Sequence, residues 1–315
     1  MGYSYSMNAV YQEVGVSKQS VYQYSGRCAE FEKKLEALRC EVELIRREHG
    51  GCGLEKLYHI LCPDWIGRDR FISIFQELGY GLKRKRQGMR TTFSDRRAPF
   101  CNLIEGMVLD DLNLVWQSDI TYYWVNGDFY YLTFMVDVYS RRILGYAVSD
   151  SLRTQASQRA LAKALELRKQ VDLSRLIHHS DRGSQYMSKA YLKQLAERNI
   201  YTISVSETAQ QNAYSERING IIKNEYLAYK QITSYPQLKK EVEKAVRNYN
   251  TKRPHKSLWK RMCPQAFEKW LTLNTQNRPR VIIYTEGHPE FKGASSPNKL
   301  YPKTDLQAPI CLKVY

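Results

Sequence analysis

Three acidic positions stand where packing alone gives them little reason to be. Asp181 follows the apolar stretch Leu176–His179 and opens the polar turn Ser180-Asp-Arg-Gly-Ser184. Burying a carboxylate is costly unless cations or several donors meet it, and open α/β sheets hold ligands at their strand ends. Asp119 lies inside Trp116-Gln-Ser-Asp-Ile-Thr-Tyr122, a strand-like run. Alternation puts Gln117, Asp119 and Thr121 on one face, and Trp116, Ser118, Ile120 and Tyr122 on the other. A third carboxylate comes from Glu207, Glu216 or Glu225. The last two lie on the helical stretch Gln211–Glu225, one face of which carries Asn212, Glu216, Asn219, Gly220 and Lys223. Three carboxylates brought together can hold two hard divalent cations about 3.5–4 Å apart. That is the chemistry of phosphoryl transfer, with both attacking and leaving oxygens stabilised.

The elements that must position these residues are legible in outline. Strands are expected over 114–124, 129–138 and 142–148, with a hairpin turn at Asn126-Gly127. An amphipathic helix follows over 154–169, through Ala160, Leu161, Ala164 and Leu165. Then come strand 176–180, helix 187–198, strand 200–205, helix 212–229 and helix 236–251. The order βββαβαβα implies a mixed five-stranded sheet flanked by helices, in which the first strand lies beside the fourth. Asp119 and Asp181 then meet. His178 and His179 shape the pocket, and Asp137 is read as a structural ion pair with Arg141 and Arg142.

The N-terminal part is all helical. Residues 7–24 suggest a helix-turn-helix, with Val10, Val14, Val16 and Val21 buried, Gly15 at the turn and Ser17 capping a second helix. That helix would present Lys18, Gln19, Ser20 and Gln23 outward. A long helix over 29–48 has an apolar seam of Phe31, Leu35, Leu38, Val42 and Ile45, suited to a partner helix. A second helix pair spans 54–61 and 68–78. His49-x2-Cys52 and His59-x2-Cys62 have a spacing that zinc could use, but the apolar neighbours of the second pair favour simple burial.

The formal net charge is +16, and residues 231–315 hold 16 Lys and Arg against 6 Asp and Glu. Residues 83–97 carry seven basic residues, among them Lys83, Arg84, Lys85 and Arg86, against one acidic residue. A regional excess of this kind favours a polyanionic partner. Seven cysteines without a CxxC pair, no leader-like start and no long apolar run point to a reduced, cytoplasmic protein. The expected organisation is a helical DNA-binding region at 1–82, a basic linker at 83–110, a catalytic core at 111–230 and a basic region at 231–315.

WQSDITY, HSDRGSQY and NAYSERINGIIKNEY, taken in order and followed by YNTKRPHKSL, resemble the integrase-type transposases of bacterial insertion sequences, closest to the IS-three family and its second-frame product. The likeness runs from about residue 45 to 270. It departs from the family at Gln211-Asn212, where Asp-Asn is common, and in the 34 residues between Asp181 and Glu216, where 35 is usual. The resemblance implies a ribonuclease-H-like fold, the catalytic triad Asp119, Asp181 and Glu216, and two Mg²⁺ (or Mn²⁺) ions per site. It also implies cleavage and strand transfer of double-stranded DNA, action as a homo-oligomer, and an upstream-frame protein as a further partner. Helix geometry agrees on the third ligand. At about 100° per residue, Glu225 lies half a turn away from Glu216, whereas Lys223 shares its face and is assigned to a DNA phosphate. Asn212, Lys252 and Arg253 are expected on DNA as well. The alternatives are a retroelement or phage integrase with the same core, and a DNA-binding regulator derived from a transposase.

Overall fold

The computed structural model describes residues 6–82, 101–181, 183–206, 209–276, 278–283 and 310–311. The expected basic linker, with Lys83, Arg84, Lys85 and Arg86, lies outside the described residues, as does Glu207. The chain divides into two compact units, Met1–Arg47 and Glu48–Tyr315.

In the first unit, α1 (Met7–Glu13) and the start of α2 (Lys18–Glu48) are joined by a turn in which Gly15 has φ +69°. The Ser17 hydroxyl accepts from the Ser20 amide at 3.1 Å, the expected cap. Two expectations fail here. Residues 18–48 form one continuous helix of 31 residues, because nothing between Tyr24 and Ala29 stops it and Gly26 alone costs only about 1 kcal/mol. The valines are also not a core: Val10, Val14 and Val16 are exposed, and α1 has no buried residue. A seven-residue helix with so few large apolar side chains buries too little to close a core against the start of α2.

The larger unit starts with α3 (Leu54–Leu61) and α4 (Arg68–Glu77), close to their expected limits. Its centre is a five-stranded sheet. After the short β1 (Val108–Leu109) come β2 (Val115–Val125), β3 (Asp128–Asp137) and β4 (Ile143–Ser149), then α5 (Thr154–Leu167), β5 (Ile177–Ser180), α6 (Lys189–Ala196) and β6 (Thr202–Val205). The sheet order is β4-β3-β2-β5-β6, with β2–β3–β4 antiparallel and β2–β5–β6 parallel. This is the ribonuclease-H-like arrangement. The β2–β3 hairpin turns at Asn126 (φ 46°) and Gly127 (φ 99°), the left-handed pair that a two-residue turn of matching twist requires.

One face of the sheet is covered by α5 and α6 through Trp116, Leu161, Ala164, Tyr191 and Leu195. The other face is covered by α7 (Ala213–Ile221) and α8 (Tyr235–Thr251), through Ile218, Ile221, Leu238, Val242 and Val246 against Leu132, Phe134 and Val136. Helical chain continues past α7, but not as one helix. A 3-10 turn (Ala209–Asn212) leads in, a π turn (Ile222–Tyr226) follows, and a second 3-10 turn (Leu227–Tyr229) ends the run. Beyond α8 and α9 (Pro264–Leu273), β7 (Val281–Ile282) pairs antiparallel with β1 and parallel with β8 (Ile310–Cys311). The tail therefore returns a strand to β1, within the region expected to be basic. Among the described residues no helix is long and apolar enough to cross a membrane.

Candidate active site

The rung Ser118↔Ser180 is the last one that β2 shares with β5. Asp119 and Asp181 are therefore each the first residue beyond it, side by side where the parallel pair parts. Pairing of a long strand with a four-residue neighbour sets this position. No loop geometry is needed to bring the two carboxylates level.

The odd-numbered residues of β2 face α7, and they meet it in steps. Gln117 Oε1 accepts from the Ser215 amide at 3.3 Å, Asn219 Nδ2 donates to Asp119 Oδ2 at 2.7 Å, and Lys223 Nζ donates to Thr121 Oγ1 at 2.8 Å. Two strand residues rise about 6.6 Å and four helical residues about 6.0 Å, so strand and helix stay in step over three contacts. The start of α7 is pinned as well: Asn212 Nδ2 donates to the Ser118 carbonyl at 3.1 Å and Gln117 Nε2 to that of Gln211 at 3.4 Å. Glu216 stands in the first turn of α7, exposed.

Burial raises the Asp119 carboxyl well above the ordinary carboxylate range, and the negative charges of Asp181 and Glu216 raise it further. The Ile120 amide and Lys223 act in the opposite sense. Asp181 is raised by burial too, although the Gly183 amide, donating to Oδ1 at 3.1 Å, offsets part of it. Asp119 thus carries the charge of two further carboxylates, which Lys223 offsets only in part. Asn219 completes the picture: its amide oxygen is buried without a hydrogen bond beside Asp119. Hard oxygen donors gathered in this way suit a divalent metal. Among the described residues no three His, Cys, Asp or Glu side chains close on one point at ligand distance.

Behind the site the histidines are neutral supports. Burial lowers His178 to about 3 and His179 to about 4; His178 Nε2 meets the Tyr191 hydroxyl at 2.9 Å and His179 Nδ1 the Ser204 hydroxyl at 2.8 Å. Tyr186, whose hydroxyl lies 2.9 Å from that of Ser118, seals the underside of β2.

Several expected DNA contacts lie elsewhere. Asn212 is 2% exposed and committed to the backbone of β2, so it cannot face a ligand. Arg253 is buried, and its guanidinium forks onto Glu225, with Nε to Oε2 at 2.9 Å and Nη2 to Oε1 at 2.8 Å. Its basic neighbours in sequence made it look like part of a surface run. Lys252 is exposed but pairs with Glu48 at 2.6 Å. Lys18, Gln19 and Gln23 are exposed along α2. Asp137 is fully buried, as a reading of it as structural requires, but its partners are amides. The NH groups of Ser140 and Asn113 each donate to it at 2.7 Å, while Arg142 and Arg168 pair with Glu268 instead.

Glu225 is paired on all sides. Lys56 Nζ donates to Oε1 at 2.7 Å and His49 Nε2 to Oε2 at 2.9 Å, in addition to the Arg253 fork. Burial alone would raise this carboxyl; Arg253, His49 and Lys56 override it and hold it far below the usual range. His49 stacks on Tyr226 with ring centres 4.2 Å apart, which accounts for one of the four residues of the zinc-like pattern. Gly51 leaves room for this contact: a Cβ there would stand 2.5 Å from the Glu225 Cα.

The functional residues that sequence reasoning did not single out are Gln117, Thr121 and Asn219 as direct partners across β2 and α7. Their faces were readable from alternation and helical spacing, but the step-by-step match between them was not.

Residues 111–208 and 202–263 match two family models, each described as an integrase core domain. An uncharacterized 31 kDa protein of insertion element IS600 from Shigella sonnei is 30% identical over 267 residues, covering 82% of this chain and 97% of that protein. The transposase InsF of insertion sequence IS3A from Escherichia coli is 29% identical, over 58% of this chain and 67% of the relative. A putative transposase for insertion sequence element IS986/IS6110 from Mycobacterium tuberculosis is 38% identical over 119 residues. That match takes in 36% of this chain and 43% of the mycobacterial protein, so the chain spans less than half the length of that relative.

Proposed function

We propose that this chain, which belongs to the integrase-core transposases of insertion sequences of the IS3 type, cleaves DNA strands and joins their ends to new phosphodiesters. The single observation that carries the reading is that Asp119, level with Asp181 at the parting of β2 and β5, is pushed up by burial and by the charges of Asp181 and Glu216.

The family uses metal ions. Here Asp119, Asp181 and Glu216 would hold two Mg²⁺ or Mn²⁺ ions, which lower the cost of deprotonating water and neutralise charge on the phosphoryl group. The residues of the chain do the rest. Gln117 and Asn212 lock the start of α7 onto β2 and fix the level of Glu216. Asn219 holds one oxygen of Asp119 and so limits how that carboxylate turns. Lys223, held at Thr121, presents an ammonium to a phosphate next to the reacting one. In cleavage the water oxygen bonds to phosphorus as the 3′-oxygen leaves with a proton. In joining, that 3′-hydroxyl bonds to a second phosphorus and a target-strand 3′-oxygen leaves. Neither step needs a covalent bond to the protein.

We further assign reading of terminal repeats to Lys18, Gln19 and Gln23 on α2, and action as an oligomer on double-stranded DNA. A nicking and joining assay with Mg²⁺ or Mn²⁺ tests the function. Asp119→Asn, Asp181→Asn and Glu216→Gln should each lower the rate by at least about a thousandfold while DNA binding stays within about twofold. A variant that still cleaves removes its residue from the site. No metal-dependent cleavage by the native protein would turn the reading toward a DNA-binding regulator.

A further inference from the structure

β2 does not stop at the carboxylates. Among the described residues, 119–125 have β3 on one side and no strand on the other, because β5 ends at the preceding rung. At about 3.4 Å per residue this free ribbon runs roughly 20 Å beyond the site.

Its two faces differ. The odd face stays covered by α7 and α8, with Tyr123 and Val125 against the core there. The even face starts in the core at Trp116, is half-covered at Ile120, and ends bare. Trp124 is 55% exposed and Phe129, directly opposite it, 51%. The rings meet edge to face, with Trp124–Phe129 centres 4.6 Å apart and Tyr122–Phe129 centres 5.5 Å apart. Edge-to-face packing leaves a broad ring face open to solvent. At the near end of this strip, the Lys223 ammonium lies 5.6 Å from the centre of the Tyr122 ring. A cation thus borders the aromatic face on the side of the carboxylates.

The Trp124–Phe129 pair steadies the hairpin tip by about 1 kcal/mol, but that contact does not require both rings to stay half exposed, and exposed aromatic patches mark binding surfaces. What lies beside this one constrains the occupant. It is continuous with a site for a phosphodiester, it begins at a lysine, and it offers open π faces. Aromatic faces next to a basic groove take up nucleobases, whatever their sequence.

We propose that Trp124, Phe129 and Tyr122 form a stacking platform for an unpaired nucleobase of the DNA strand whose phosphodiester lies at Asp119, with Lys223 meeting the intervening backbone. The platform rests on the reading of the chain as DNA-cleaving for its ligand, but its test involves no cleavage.

The full chain, without divalent metal, is titrated against a labelled oligothymidylate of about 20 nucleotides, and against an equally long and equally charged chain of abasic deoxyribose phosphates. The native protein should prefer the strand with bases by about tenfold at fixed salt, the scale of one stacked base. Trp124→Ala and Phe129→Ala should each remove most of that preference and leave affinity for the abasic chain unchanged. Trp124→Phe should restore it. Tyr201→Ala, which changes a side chain 70% exposed at the start of β6, should have no effect. Asp119→Asn should keep the preference, so a failure of the cleavage reading leaves a different trace. Equal loss of affinity for both probes in the Trp124 and Phe129 variants overturns the proposal. So does the absence of a preference in the native protein. A change from oligomer to monomer in sedimentation of the same variants would show the face to be a contact between copies, and equally overturns it.

Discussion

The helical run from Ala213 to Tyr226 carries two glutamates in opposite electrostatic company. Glu216 acts on Asp119 together with Asp181, and both push its carboxyl up beyond the effect of burial. Glu225, in the π turn, is a single carboxylate that receives the Arg253 fork, Lys56 and His49. One cluster gathers like charges around a buried carboxyl, and the other surrounds a single carboxylate with donors and cations. A cluster of like charges costs the fold free energy that a bound cation would offset. A fully met one has done its work on folding. The two can therefore be told apart by what happens when each loses its charge.

The largest expected effect is on the met cluster. Glu225→Gln leaves a buried guanidinium unpaired and should cost about 3 kcal/mol, read as a shift of the denaturant midpoint. The sign with pH follows from the depressed carboxyl of Glu225. Its contribution is fully present above the unfolded value of about 4.3 and is lost as pH falls below it, so the gap between native and variant protein should narrow in acid. An unchanged midpoint would mean that Glu225 is as dispensable as a surface residue.

The open cluster should respond to metal. Mg²⁺ at about 100 times its Kd should stabilise the native protein by about 2.7 kcal/mol in thermal unfolding, and Asp119→Asn should abolish most of that gain. Equal gains in both proteins would place the ion elsewhere.

Without metal the same substitution should act in the opposite direction to Glu225→Gln. Removing charge from a carboxyl that burial and its neighbours push up should stabilise the fold by about 1 kcal/mol at neutral pH. The gain should vanish below about pH 4, where the carboxyl is protonated in folded and unfolded chain alike. A loss of stability at neutral pH would make Asp119 a structural partner of Asn219.

The smallest effect concerns the lysine between the clusters. Lys223→Ala should reduce the salt slope of DNA binding by about 0.9, one phosphate contact, with little change in midpoint. An unchanged slope would confine Lys223 to its bond with Thr121.

What was readable from sequence follows the reach of local periodicity. Alternation in β2 and the helical spacing of Asn212, Glu216, Asn219 and Lys223 defined the faces that meet, and strand and helix order defined the sheet. Asp119 and Asp181 stood out because each is a charge at the margin of an apolar stretch. What stayed hidden depends on partners far along the chain. Arg253 sits in a run of basic residues and differs from them only in meeting Glu225, 28 positions away. Asn212 is polar on a polar helix face, yet the Ser118 carbonyl claims it. The continuity of α2 through residues 24–29 depended on a missing stop signal, and a missing signal is weak evidence in a short window. Trp124 and Phe129 have strand-like neighbours, so alternation alone could not tell that β5 would be too short to bring α6 over them.

The π turn at Ile222–Tyr226 has a consequence of its own. A turn of this kind holds one residue more than an α turn, so it works as a phase shifter between two cylinders that share an axis. Upstream, α7 is timed to the rungs of β2. Downstream, the chain is timed to Gly51, whose amide bonds the Glu225 carbonyl at 2.7 Å, and to Arg253. No uniform α-helix keeps both appointments. Deleting one residue from the turn would leave each half a good helix but would set the second about a quarter-turn out of phase with the first. The spacing between Lys223 and Glu225 is therefore set by two surfaces at once, and a length change here would be felt far more than most substitutions.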